Sequence, residues 1–214
     1  MKFDMHVHTC RSKKCGWMRP KRLVLVAIER GLSGIAVTDH NTTSGALEVS
    51  EIVRDERLPL KVIIGEEINT DRGEVLAYFI DQDIEPGPFE EVLADIRRAG
   101  GISAIPHPFD RIRKGFLGAE AVLDEVDAIE VLNARCLFNR RALNLSREVG
   151  KPMLAGSDAH FYREVGRAWT EYPDEPRSSI IEGKTEVGGC LSNPAYLALT
   201  KGVKICRRLT SGSV

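Results

Sequence analysis

Residues 34–40 read GIAVTDH. A short run of small and β-branched apolar residues without polar alternation reads as a strand buried on both faces. This one ends in Asp39 and His40. Outward on either side lie helix-length stretches. Residues 20–30 place Leu23, Val24, Ala27 and Ile28 at helical spacing, with Pro20 at the start and Gly31 just past the end. Residues 43–55 open on Thr/Ser cap candidates and lead to a second apolar run, KVIIG (61–65). The unit is strand, helix, strand, which calls for parallel strands joined by a crossover helix.

The same alternation continues along the chain. Further apolar runs are KFDMHV (2–7), EVLAYFI (74–80), GISAIP (101–106), AIEVLN (128–133) and PMLAG (152–156), with VGRAWTEY (165–172) a weaker eighth. Helical stretches fall at 88–99 and 137–149. A less regular tail from about residue 174 holds two more helix candidates, 178–184 and 193–201. The reading is an α/β fold in a single domain over residues 1–214, long enough to bury a core without disulfide or metal staples. Hydrophobic residues at 43% and charged residues at 29% exclude a disordered chain. A net charge of -1 gives no long-range attraction to nucleic acid or to an anionic membrane. No apolar run reaches the length of a membrane span. MKFDMHVHTCRSKK lacks the apolar stretch of a secretory signal. The five cysteines, with no CxxC pair, read as reduced thiols. The expectation is a cytoplasmic protein with no membrane partner.

All five histidines, His6, His8, His40, His107 and His160, fall at or just past the end of an apolar run. Glu66 and Glu67 follow VIIG in the same way. In a parallel α/β barrel or sheet the C-terminal strand ends gather on one face, so residues distant in sequence converge there. Imidazoles suit zinc, iron and manganese, and carboxylates bridge cations. His6 and His8 share a strand face because side chains repeat with period two, and Asp158 and His160 have the same spacing.

The segments DMHVHT, GIAVTDHNT, VIIGEEINT, SAIPHPFDR and AGSDAH, in that order within about residues 1–172, resemble the PHP (polymerase and histidinol phosphatase) family. The resemblance implies a distorted seven-stranded β/α barrel, two or three divalent metal ions (Mn, Zn or Fe), and hydrolysis of a phosphate ester by a metal-bound hydroxide. By the same resemblance His6, His8 and Asp158 hold one metal and Glu67 bridges to a second that His107 also holds. His40 and His160 hold a third. Asp158, His160 and His40 are the candidate catalytic residues, either histidine being a proton donor to the leaving group if no third metal holds it.

Two departures bear on this. The stretch TCRSKKCGW (9–17) has no histidine or carboxylate to complete a third site, leaving Cys15 as a substitute. Glu74 stands where some relatives have histidine, so it reads either as a ligand or as a solvated turn residue. Arg111, Arg113, Lys13 and Lys14 are candidates for binding substrate, against the reading of solvated basic loops, and Asn133 is a candidate to bind substrate or a metal through its amide. Asp39 is a candidate to orient an imidazole. Only 39 residues separate Glu67 from His107, which favours a small phosphorylated substrate, with a short nucleic acid as the other substrate in range. The rival readings are an amidohydrolase-like metallohydrolase and a non-catalytic metal-binding PHP module.

Overall fold

A computed structural model describes residues 1–13, 15–110, 116 and 118–211. Its strands are β1 (Lys2–Val7), β2 (Gly34–Val37), β3 (Lys61–Asn69), β4 (Glu74–Tyr78), β5 (Ile102–Ile105), β6 (Ala128–Asn133), β7 (Met153–Gly156), β8 (Ala168–Glu171) and β9 (Glu186–Gly189). The helices are α1 (Pro20–Glu29), α2 (Ser44–Asp55), α3 (Phe89–Arg98), α4 (Asn139–Val149), α5 (Pro176–Ile181) and α6 (Ala195–Ser211). The strands form one sheet in the order β7-β6-β5-β4-β3-β2-β1-β8-β9. It curls until the segment after β7 meets β1 through a parallel bridge between Val7 and Ala159, with the His8 N–H donating to the Ala159 carbonyl at 2.9 Å.

The barrel expected from the sequence is present, but it has nine strands rather than seven, and it is mixed rather than all parallel. β4 runs antiparallel to both β3 and β5, and β8 is antiparallel to β1 and β9. The reason is connection length. Only residues 70–73 separate β3 from β4, enough for a hairpin and far too few for a crossover. β9 escapes a hydropathy reading because its sequence, Glu-Val-Gly-Gly, is barely apolar and half exposed.

Burial follows the pleat. Phe3, Ala36, Ile63, Tyr78, Ala104 and Leu154, one from each of six strands, pack together inside the barrel below the mouth. The Tyr78 hydroxyl donates to the Met5 carbonyl at 3.0 Å across that interior. On the outside, Leu23 and Val24 of α1 and Val49 of α2 cover Ile35 and Val37, while Val92 and Ile96 of α3 cover Ile105 and Ile129. Strict alternation along β1 would put Phe3 and Met5 on one face and His6 and His8 on the other. A register irregularity between Asp4 and Val7 reconciles the two sets, so the lower strand fills the barrel and the upper strand lines its mouth. No helix among the described residues is long and apolar enough to cross a membrane.

Candidate metal centre

Every described histidine comes to one mouth of the barrel. The Nε2 atoms of His6 and His8 are 3.1 Å apart. His8 Nε2 is 3.4 Å from Asp158 Oδ1 and 3.3 Å from Glu67 Oε2. Glu67 lies centrally, its Oε2 3.1 Å from His40 Nδ1 and its Oε1 3.4 Å from His107 Nε2. Ligand-capable atoms cluster within 4.8 Å of one another in three overlapping groups: His6, His8 and Asp158; His8, His40 and His160; and His40, Glu67 and Glu74.

The inward face of β3 carries Ile63, Gly65 and Glu67, so Glu67 stands two positions above the packed interior. Glu74 starts β4 and pairs with Asn69. Because β4 is antiparallel, its first residue lies at the same mouth as the last residues of the parallel strands. Glu74 therefore belongs to the cluster, with Oε1 3.3 Å from His40 Nδ1 and Oε2 3.9 Å from His107 Nε2.

The imidazoles are oriented from behind. His6 Nδ1 lies 3.0 Å from Glu130 Oε1, so an N–H there leaves the Nε2 lone pair facing the cluster. His8 Nδ1 lies 3.3 Å from Ser12 Oγ, whose hydroxyl donates to Asp39 at 2.7 Å. Asp39 thus acts on His8 through Ser12, and it also accepts from the Thr9 N–H at 2.7 Å. His160 Nδ1 is 3.0 Å from the Asp158 carbonyl. Asn133 is fully buried. Its amide donates to Glu130 at 2.9 Å and to Asp158 at 3.2 Å, so it holds two carboxylates at the strand end where the sequence placed a candidate substrate contact.

The electrostatics fit a cation. Burial raises the Glu67 carboxyl, but His40 and His6 facing it outweigh burial and hold it well below the usual range. Burial pushes Glu74 up, and the neighbouring Glu67 adds to it. Burial pulls His160 down, reinforced by His8. His6 is the opposite case: burial lowers it, yet Glu130, Glu67 and Asp158 together draw it well above an ordinary imidazole. The three carboxylates that draw a proton to His6 would equally draw a divalent ion. Two nitrogens each about 2.0–2.1 Å from one tetrahedral ion stand ~3.3 Å apart, close to the His6–His8 spacing. Glu67 Oε1 is buried and has no hydrogen-bond partner among the described residues. The residues present fit divalent cations.

Strain concentrates here as well. Asn41, His107 and Asp158 adopt φ values of 51°, 30° and 54°. Each such backbone costs about 1–3 kcal/mol and persists only where surrounding structure over-determines it.

Of the expected substrate contacts, Lys13 lines an open groove of about 630 Å³ beside the cluster, together with His40 and Glu74. Cys15 is buried against the same groove but joins none of the three ligand groups. Lys14, Arg111 and Arg113 lie outside the described residues. Sequence reasoning missed Glu130 and Asp4. Asp4, pushed up to about 6 by burial, accepts from the Ser157 N–H at 2.8 Å and the Gly166 N–H at 2.7 Å and so fastens β1 to the segment after β7. Both residues left a sign in the sequence, a carboxylate inside an otherwise apolar strand. Arg135 and Glu164 form a buried ion pair at the edge of the mouth, where neither lies in an apolar run.

A family model described as PHP-associated matches residues 137–183. The protein MJ1587 of Methanocaldococcus jannaschii is 33% identical over 144 residues, covering 63% of this chain and 82% of its own length. A two-domain protein from Bacteroides vulgatus containing a PHP-like metal-dependent phosphoesterase superposes with a TM-score of 0.73 at 20% identity, over 89% of this chain. The chain belongs to the PHP family. It spans 65% of the length of the Bacteroides chain. The 5'-3' exoribonuclease Rnm of Escherichia coli is 37% identical over 68 residues, 32% of this PHP chain and 22% of Rnm. An amidohydrolase from Chromobacterium violaceum shares the fold with a TM-score of 0.63 at 16% identity, over 86% of this chain and 97% of its own. The fold is that of PHP-like metal-dependent phosphoesterases.

Proposed function

We propose that this PHP protein is a divalent-metal-dependent phosphoesterase acting on a small phosphorylated substrate or on the terminal phosphate of a short oligonucleotide. The observation that supports it most is the convergence of five imidazoles with Glu67, Glu74 and Asp158 at one mouth, several of them held from behind by hydrogen bonds. In this reading His6, His8 and Asp158 hold one cation. Glu67 would contribute to this site and to a second, which His107 and Glu74 would also hold. His40 and His160 flank the place of a third. The bound cations supply Lewis acidity at a phosphoryl oxygen and a water that ionises near neutral pH.

The chain's own residues do the rest. Glu130 and Ser12 keep protons on the far nitrogens of His6 and His8, so the near nitrogens stay available as ligands. Asn133 keeps the Asp158 carboxylate aimed at the cluster. His160 spends Nδ1 on the Asp158 carbonyl, which leaves Nε2 to bind a cation or to pass a proton to the leaving oxygen, as His40 would from the other side. The adjoining groove takes the leaving group beside Lys13.

The test is elemental analysis of protein purified without added metal, coupled to a phosphate-release screen over sugar phosphates, nucleotides and short oligonucleotides with Mn, Zn and Fe. Release from at least one class, lost on chelation and restored by metal, is the expected result. Bound metal without release of phosphate from any class would leave a non-catalytic module and sink the proposal.

A further inference from the structure

We infer that Lys201 on α6 is a specificity-determining residue that reads a second anionic group on the substrate; this rests on the phosphoesterase reading above. Beside the ligand cluster lies a cavity of about 250 Å³, whose far wall is Arg135 with Leu197, Thr200 and Lys201 of α6. Nothing in the metal cluster requires that wall. It comes from a helix outside the segment 137–183 that matches the family model.

The helix is fixed in place at successive turns. The Ser192 N–H, just before α6, donates to the Ala134 carbonyl at 2.7 Å. The Tyr196 ring lies 5.6 Å from the Phe161 ring. Thr200 Oγ1 accepts from Arg135 Nη2 at 3.1 Å and donates to the Tyr196 carbonyl. Positions 192, 196 and 200 recur every four residues, so one side of the helix is seated on the barrel. Leu197 and Lys201, also four apart, then line the cavity.

The two cations on this wall differ. Arg135 is buried in a bidentate pair with Glu164, and its charge is spent there. Lys201 is exposed and enters no ion pair among the described residues. The acids in the cavity, Glu67, Glu74 and Asp158, belong to the cluster and would be neutralised by bound cations. A substrate phosphoryl group drawn to that cluster leaves its remainder in the cavity that Lys201 lines. A phosphate or a carboxylate there makes a charge-assisted hydrogen bond, and an uncharged remainder does not.

The test compares glycerol 2-phosphate, which has no second anion, with 2-phosphoglycerate and 2,3-bisphosphoglycerate, which separate a carboxylate from an added phosphate. In Lys201→Ala, the kcat/KM preference for the two phosphoglycerates over glycerol 2-phosphate should fall about tenfold or more, through KM. Lys201→Arg should keep it, and high salt should shrink the wild-type preference. The same preference in wild type and Lys201→Ala for both phosphoglycerates would overturn the inference. Equilibrium binding of the three compounds to the metal-loaded protein by calorimetry is the second arm. If the wild type hydrolyses none of them, the phosphoesterase reading fails for these compounds, while binding still decides the role of Lys201. About tenfold weaker binding of either phosphoglycerate to Lys201→Ala supports it. Equal affinities, or no binding to the wild type, overturn it.

Discussion

Glu130 illustrates how one side chain sets several others. It stands two positions above Ala128 on the inward face of β6. It takes His6 Nδ1 on one oxygen, and the His107 N–H and the Asn133 amide on the other. Glu130→Gln keeps the shape and removes the charge that fixes the His6 tautomer. Apparent metal affinity should drop about 10–100-fold, measured by competition with a chelator, and an unchanged affinity would remove Glu130 from the site. Asp158→Ala and Glu67→Ala each delete an anionic group from the cluster itself. Phosphate release should vanish in both while far-UV circular dichroism stays native, because the packed interior lies below them. Residual activity above about a tenth of wild type would count against both as ligands, since loss of a supporting group alone costs ~10–100-fold.

At the scale of elements, the mouth depends on how closely β7 approaches β1. A Cβ on Gly156 would stand 2.4 Å from His6 Cβ and 2.6 Å from His6 N, both rigid parts of β1. Gly156→Ala must push the two strands apart exactly where the barrel closes and where His6 is aimed. The expected cost is about 1–3 kcal/mol in urea unfolding, together with weakened metal binding. A variant as stable as wild type with full metal affinity would show that the closure has slack. β4 makes the complementary point. Its four-residue connection forces a hairpin, and the reversed direction brings Glu74, read from the sequence either as a ligand or as a turn residue, into the cluster. Glu66, the neighbour of Glu67, points away from the mouth: its Oε2 accepts the Ile84 N–H at 2.9 Å, and burial pushes it up to about 8.

For the whole molecule, metal and fold are linked. Side chains from β1, β3 and β4 and from the segments after β2, β5 and β7 meet at the cluster, so a cation bound there ties together most of the barrel rim. Chelation should lower the thermal midpoint, and re-addition should raise it with metal concentration, since a ligand present at 100 times its Kd adds about 2.7 kcal/mol. The number of tight equivalents carries a second expectation. His40 Nδ1 lies toward Glu67 and Glu74, and residues 9–17 add no member to any described ligand group. Titration of chelated protein should show two strong equivalents, with a third only alongside phosphate, which supplies the missing anionic ligand. Three equally tight equivalents without any anion would contradict this.

Much of this protein was legible in order along the chain. Apolar runs ending in histidine or acid are local features, and burial on both faces is written directly into composition. Seven runs and the helices between them therefore stood out, as did the candidates His6, His8, His40, Glu67, His107, Asp158 and His160. Tertiary structure decided what depends on partners. Strand direction follows from loop length and pairing, so the place of Glu74 at the mouth emerged only with the antiparallel β4. The work of Glu130, Asp4 and Asn133 depends on hydrogen bonds across more than 100 residues, or across strands whose register hydropathy does not encode. The wall that α6 lays against the mouth depends on the turns of a helix seated on Ala134, Phe161 and Arg135, contacts that no local pattern in residues 193–201 foretells.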